Sequence, residues 1–178
     1  MKHATTVVLL LSILVASPAF VLGAGTSVAC GASGLKVAFS PAGGDTQLVT
    51  DTIGKAKKKI LVQAYLFTNA TIARALASAK ARGVNVRVIL DKSQETDRYS
   101  AATYFKNHAI PVLIDDKHAI AHNKVMVIDG STVITGSFNF TQTAETNNAE
   151  NVLVIPCANL AANYARNWAV HAAHSVKY

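Results

Sequence analysis

Short apolar runs alternate with amphipathic stretches along most of this chain. Leu35 to Phe39 predicts a short strand. Pro41, Gly43 and Gly44 make a turn, and Asp45 or Thr46 can cap a helix running to about Lys58. Ile60 to Phe67 is nearly continuous apolar, as expected of a strand covered on both faces. Asn69 caps the next helix, where Ile72, Ala75, Leu76 and Ala79 recur at helical spacing until Gly83 stops it. Val84 to Leu90 predicts a strand, Thr96 to His108 a helix ended before Pro111, and Val112 to Ile114 a short strand. Asn123 to Ile128 and Thr132 to Thr135 read as two strands around the turn pair Asp129-Gly130. Asn151 to Ile155 follows as a strand. Leu160 to His174 closes the chain as a helix, with Leu160, Tyr164, Trp168 and Ala172 at spacings of four. The pattern predicts an α/β fold, a mixed central sheet with helices on both faces. No repeat, low-complexity tract or second domain interrupts it.

The first 24 residues have a different character. Lys2 and His3 precede an apolar stretch from Val7 to Val15, and small residues follow at Ala19, Gly23 and Ala24. That is the layout of a secretory signal. The rival is an uncleaved anchor, but the apolar stretch is short for a span and is followed by Pro18. Residues 1–24 are therefore expected to be removed, leaving 25–178 as one domain. The product would be periplasmic or secreted, with no stable membrane association. Loss of Lys2 takes the formal charge from +7 to +6. A basic balance favours polyanions, nucleic acid or anionic lipid, without choosing between them. Two cysteines, Cys30 and Cys157, lie beyond the signal. In an exported chain they predict a disulfide, the alternative being two free thiols.

Candidate chemistry is concentrated in HNKVMVIDGSTVITGSFN, residues 122–139. His122 and Lys124 are two apart, so a strand would send both to one face, where a phosphodiester could meet an imidazole and an ammonium. Asp129, at the turn, is placed to hold the hairpin. Gly136 lets the backbone bend or approach closely. Ser137 and Asn139 can donate to phosphate oxygens without adding charge. Glu150 could orient the His122 imidazole. Lys124 supplies positive charge and His122 can attack phosphorus directly. The same nitrogen cannot also protonate the leaving oxygen, and the pattern occurs once. Two chains about a two-fold axis would supply the second imidazole.

Other groups read more plainly. His118 and His122 have zinc-like spacing only on a helix, which the strand after them opposes, and no third ligand is evident, so no metal and no cofactor is expected. His171 and His174 are expected to be solvated or partly packed. Lys55, Lys57, Lys58 and Lys59 read as a solvated helix end or a track for DNA. Tyr65, Phe67 and Trp168 read as packing.

The constellation resembles the phospholipase D superfamily signature H-x-K-x4-D-x6-G-S-x-N. His122, Lys124, Asp129, Gly136, Ser137 and Asn139 all stand at the required spacing. The chain is similar to the small bacterial Nuc-type endonucleases of that superfamily from about Val37 to Trp168, including QAYLFT at Gln63 to Thr68 and RGVNVRVILD at Arg82 to Asp91. The resemblance implies a homodimer with one composite site, a phosphohistidine intermediate, no metal requirement and cleavage of DNA with little sequence preference, RNA being left open. It implies that His122 is nucleophile in one subunit and general acid in the other. Lys124, Ser137 and Asn139 would bind phosphate, Glu150 would hydrogen-bond the histidine, and Asp129 and Gly136 would be structural. A phospholipid head group is the alternative substrate, since the same chemistry serves both.

Overall fold

The computed structural model describes residues 27–31 and 33–178, so the expected signal segment lies outside the described residues. The elements run β1 (Lys36–Ser40), α1 (Asp45–Gly54), β2 (Lys59–Ala64), α2 (Ala70–Ala81), β3 (Asn85–Asp91), α3 (Ala102–Asn107), β4 (Val112–Asp115), β5 (Lys124–Ile128), β6 (Thr132–Gly136), α4 (Gln142–Thr146), β7 (Glu150–Pro156), α5 (Ala158–His174) and β8 (Val176–Lys177). One eight-stranded sheet has the order β1-β7-β6-β5-β2-β3-β4-β8. The pairs β2–β3 and β3–β4 are parallel and the rest antiparallel, which makes the mixed sheet the sequence pattern predicts.

Side-chain alternation assigns the faces. Ile60, Val62, Met126, Ile128 and Ile134 meet Val49 and Ile53 of α1, Ile72 and Leu76 of α2 and Phe105 of α3 in the larger core. Leu61, Ile89, Val125, Val127 and Val133 face the other way, onto Ala161 and Trp168 of α5. The Trp168 indole donates to the Val62 carbonyl at 2.8 Å, which satisfies its buried N–H. Because β2, β3 and β5 are covered on both faces, their sequences read as apolar runs. Among the described residues no helix is long and apolar enough to cross a membrane.

Several boundaries differ from the sequence pattern, each for a local reason. α1 ends at Gly54 and not near Lys58. The Asp129 carboxylate takes the backbone N–H groups of Lys57, Lys58 and Lys59 at 2.9, 2.8 and 2.9 Å, so those residues form a connection into β2. Neither Asp45 nor Thr46 caps α1. Glu145 does so from α4, accepting from the Thr46 N–H at 2.7 Å. α3 starts at Ala102 and not at Thr96, because Asp97 accepts from the Tyr99 N–H at 2.8 Å and holds a turn instead. β2 stops at Ala64, with Phe67 forming only an isolated bridge to Phe140. The short α4 and β8 were not legible in the pattern. Cys30 and Cys157 form a disulfide across 127 residues of sequence, tying the segment before β1 to the start of α5.

Candidate active site

Strand register gathers the signature at one end of the sheet. Lys124 opens β5 opposite Ala64 of β2. Gly136 ends β6 opposite Val152 of β7, and Glu150 opens β7 opposite Ser40 of β1. The Tyr65 N–H donates to the Asn123 carbonyl at 2.8 Å, which carries the β2–β5 pairing one step beyond the strands. His122 therefore sits just outside the sheet edge, exposed, while Lys124 is buried.

The Lys124 ammonium lies 3.0 Å from His122 Nδ1 and 2.9 Å from the His122 carbonyl oxygen, so the two side chains meet as their spacing predicts. Tyr65 packs against the imidazole with ring centroids 4.7 Å apart, and the Lys124 nitrogen stands 5.3 Å from the same tyrosine ring. Burial pushes Lys124 below the ordinary lysine value, and the Glu150 carboxylate opposes that shift. The result is a partly desolvated cation beside an open imidazole, which is what an equatorial phosphate oxygen requires.

Gly136 has a steric reason to be glycine. A Cβ there would fall 2.2 Å from the Asn151 carbonyl oxygen. That close approach brings β7 against the turn after β6. The Asn151 carbonyl accepts from the Ser137 and Phe138 N–H groups at 3.1 and 3.2 Å. The Ser137 hydroxyl oxygen accepts from the Asn151 backbone and side chain at 3.1 and 3.3 Å, leaving its own proton free to donate. Asn139 Oδ1 is buried and has no hydrogen-bond partner. The remaining signature residue, Asp129, sits at the far end of the β5–β6 hairpin. Its φ is +53°, and its carboxylate binds the connection into β2. The carboxylate fastens that neighbouring segment, where the sequence pattern has it hold its own hairpin.

Glu150 departs from expectation. Its Oε1 accepts from the Asn148 side chain at 2.9 Å, not from His122, whose Nδ1 faces Lys124 instead. Glu150 thus acts on the site through the charge of Lys124. Tyr65 packs on the imidazole, in keeping with its reading as core or near-site packing. Two other contributors were missed in the sequence. Asn151 braces Ser137. Buried Asp91 accepts from the Ala121 N–H at 2.7 Å and from the Ser93 N–H at 2.9 Å, fixing the residue just before His122. An acidic residue closing an apolar strand was the available signal for Asp91. Nothing in the sequence marked Asn151.

A mixed sheet carrying this signature at one end defines a phospholipase D-type phosphodiester hydrolase. The chain belongs to the family described as cardiolipin synthase, PLD-like domain, which matches residues 49–170. It is similar to a phospholipase D of Rickettsia conorii, 44% identical over 136 residues, covering 76% of this chain and 68% of that protein. Among solved structures it is similar to Nuc from Salmonella typhimurium, a phospholipase D family member, at 40% identity and TM-score 0.78, covering 81% of this chain and 97% of that one. NucT from Helicobacter pylori shares the fold at 22% identity and TM-score 0.72, covering 81% of this chain and 99% of that one.

Proposed function

We propose that the protein is an exported endonuclease that cleaves DNA without a metal, through a phosphohistidine, at a site completed by a second copy of the chain. The observation that carries this reading is the His122–Lys124 pair: one open imidazole and one desolvated cation at the sheet edge, with no second imidazole in the signature. His122 attacks phosphorus through Nε2, forming a P–N bond as the P–O bond to the leaving oxygen breaks. The partner's His122 gives that oxygen its proton. Water then attacks phosphorus, the partner's imidazole takes a proton from the water, and the P–N bond breaks. Lys124, the Ser137 hydroxyl and the Asn139 carboxamide balance charge on the other oxygens.

With its proton on Nε2, a neutral His122 can accept from Lys124 at Nδ1. The attacking copy needs an open lone pair on Nε2 and its proton on Nδ1, and the acid copy must be the imidazolium, protonated at both nitrogens, so the Lys124 contact to Nδ1 gives way in each. Edge strand β1 supports a second copy. Leu35, Val37 and Phe39 are exposed, Phe39 to 62%, and β1 pairs with the strand that opens at Glu150. α5 packs on β2, β4, β5 and β6 and leaves these side chains uncovered. A contiguous exposed apolar strip favours association.

Hydrolysis of a phospholipid head group is the second reading, favoured by the name of the Rickettsia relative. Plasmid nicking and head-group release from phosphatidylcholine vesicles, both in EDTA, separate the two. Nicking without release is expected, and the reverse would replace the nuclease reading. Mixing His122→Ala chains with wild type should depress activity beyond dilution, because mixed dimers hold one imidazole. Strictly proportional activity would exclude a shared site.

A further inference from the structure

At the same end of the sheet as the signature, but three strands along from β5, three imidazoles converge on one carboxylate. Asp115 ends β4 and is fully buried. His118 follows in the connection to β5, and His171 and His174 come from the last turn of α5. His171 Nδ1 lies 2.6 Å from Asp115 Oδ2, His118 Nδ1 3.0 Å from Oδ1, and His174 Nε2 3.3 Å from Oδ1. The three ring centroids form a nearly even triangle with sides of 4.8, 5.2 and 5.3 Å. Every pair among the four donor atoms lies within 4.8 Å. His174 Nε2 is buried and makes no hydrogen bond in spite of its 3.3 Å approach.

We propose that Asp115, His118, His171 and His174 form a structural site for one zinc ion per chain. Zinc takes imidazole nitrogen and carboxylate oxygen in tetrahedral sets at about 2.0–2.2 Å, which puts neighbouring donors roughly 3.3 Å apart. The three Asp115 contacts already cluster near that spacing, so the donors need small movements to close on an ion. One carboxylate cannot orient three imidazoles equally well, and the unpartnered His174 nitrogen marks where hydrogen bonding alone falls short. Three nitrogens and one oxygen suit a borderline ion. Calcium and magnesium, which prefer all-oxygen sets, fit poorly. His118 is 44% exposed, so the ion has a route in from solvent. Four protein ligands leave no open position, which makes the role structural. The ion would fasten the end of α5 to the segment leading to His122. His171 and His174 lie just past the span matched by the family, residues 49–170, so the site is additional to the shared chemistry.

The test uses the processed chain, stripped with EDTA and freed of chelator. Zinc alone is titrated by calorimetry, with magnesium as a control, and cobalt(II) is added as an optical probe. One zinc per chain, a raised melting temperature, a tetrahedral cobalt spectrum and no response to magnesium are expected. His171→Ala/His174→Ala should lose this affinity by more than the roughly 10–100-fold that loss of an outer-shell partner costs. His108→Ala, outside the cluster, and His122→Ala should bind as wild type. Absence of stoichiometric zinc binding, or equal binding by the double variant, would overturn the site. Loss of binding in His122→Ala would move the ion to the signature site and also overturn it. Nicking by the stripped protein, assayed below its melting temperature, bears separately on the metal-free mechanism, so the two readings can fail independently.

Discussion

The molecule has two imidazole sites of opposite design. In the signature, one exposed imidazole meets one buried ammonium, and on the proposed mechanism the set is half of what phosphodiester cleavage needs. At the end of β4, three imidazoles surround one buried carboxylate, and nearly every donor already faces a partner. An open, unsaturated site suits turnover. A closed, saturated one suits holding structure together. The difference also explains their visibility. The first is written in one continuous stretch, because a hairpin keeps its residues together. The second is assembled from residues 56 apart, from Asp115 to His171, and exists only after α5 has packed.

The contrast breaks hardest at His122. In His122→Ala, nicking should fall by more than the roughly 10²–10⁴-fold that loss of a general acid alone costs, because the nucleophile goes too. Melting temperature should change little, since the ring is exposed and outside the sheet. A well-folded variant that still cuts would remove His122 from the chemistry. Lys124→Ala comes next. Losing one transition-state donor commonly costs about 10²–10³-fold. Activity within tenfold of wild type, measured under single-turnover conditions, would show that the buried ammonium does not reach the phosphate.

How much of this was legible depends on whether the signal was local. The strands β2, β3 and β5 were clear because burial on both faces leaves apolar runs. The hairpin was clear because Asp129-Gly130 takes positive φ at both positions. Cys30–Cys157 followed from count and context. The helix limits failed where side chains capture backbone from a distance. Asp129 ends α1 from some 70 residues away, and Glu145 caps it from 99. Glu150 shows the same limit inside the site. Its position in the chain suited contact with His122, but Asn148, two residues off, holds its carboxylate instead. The sequence offers His118 for zinc only with His122 and predicts no metal. Its neighbours around Asp115 were not legible, because nothing in the sequence shows that β4 and the last turn of α5 meet.

At the far end of the hairpin, Asp129 sharpens the comparison by contributing only stability. Burial would raise its carboxyl, but the N–H groups of Lys59, Lys57 and Lys58 and the Lys58 charge outweigh burial and hold it below its usual value of 3.8. A depressed folded value means stability that is present above the unfolded value and lost as pH falls through the folded one. Asp129→Ala leaves three N–H groups without their acceptor and should cost about 1–3 kcal/mol near neutral pH, read by urea unfolding. The difference from wild type should shrink below pH 3.8. A gap that persists undiminished in acid would mean that packing, not the ionised carboxylate, accounts for the loss.

Asp45 should give the smallest effect, with the opposite sign. It lies in the first turn of α1, fully buried, and neither carboxylate oxygen has a hydrogen-bond partner. Burial raises its carboxyl above 3.8, and the nearby charges of Glu145 and Glu150 push the same way. A raised folded value means the protonated form fits the fold. Stability from this group is complete below the unfolded value and declines as pH rises through the folded one. Asp45→Asn keeps the shape and removes the charge. It should therefore melt like wild type in acid and higher than wild type at neutral pH, by a few degrees at roughly 2–4 °C per kcal/mol for a chain of this size. Glu150 keeps its place beside Lys124 in that variant, so nicking should hold near the wild-type rate. A lower melting temperature at neutral pH would show that the ionised carboxylate supports α1 through the helix dipole, and that this outweighs burial.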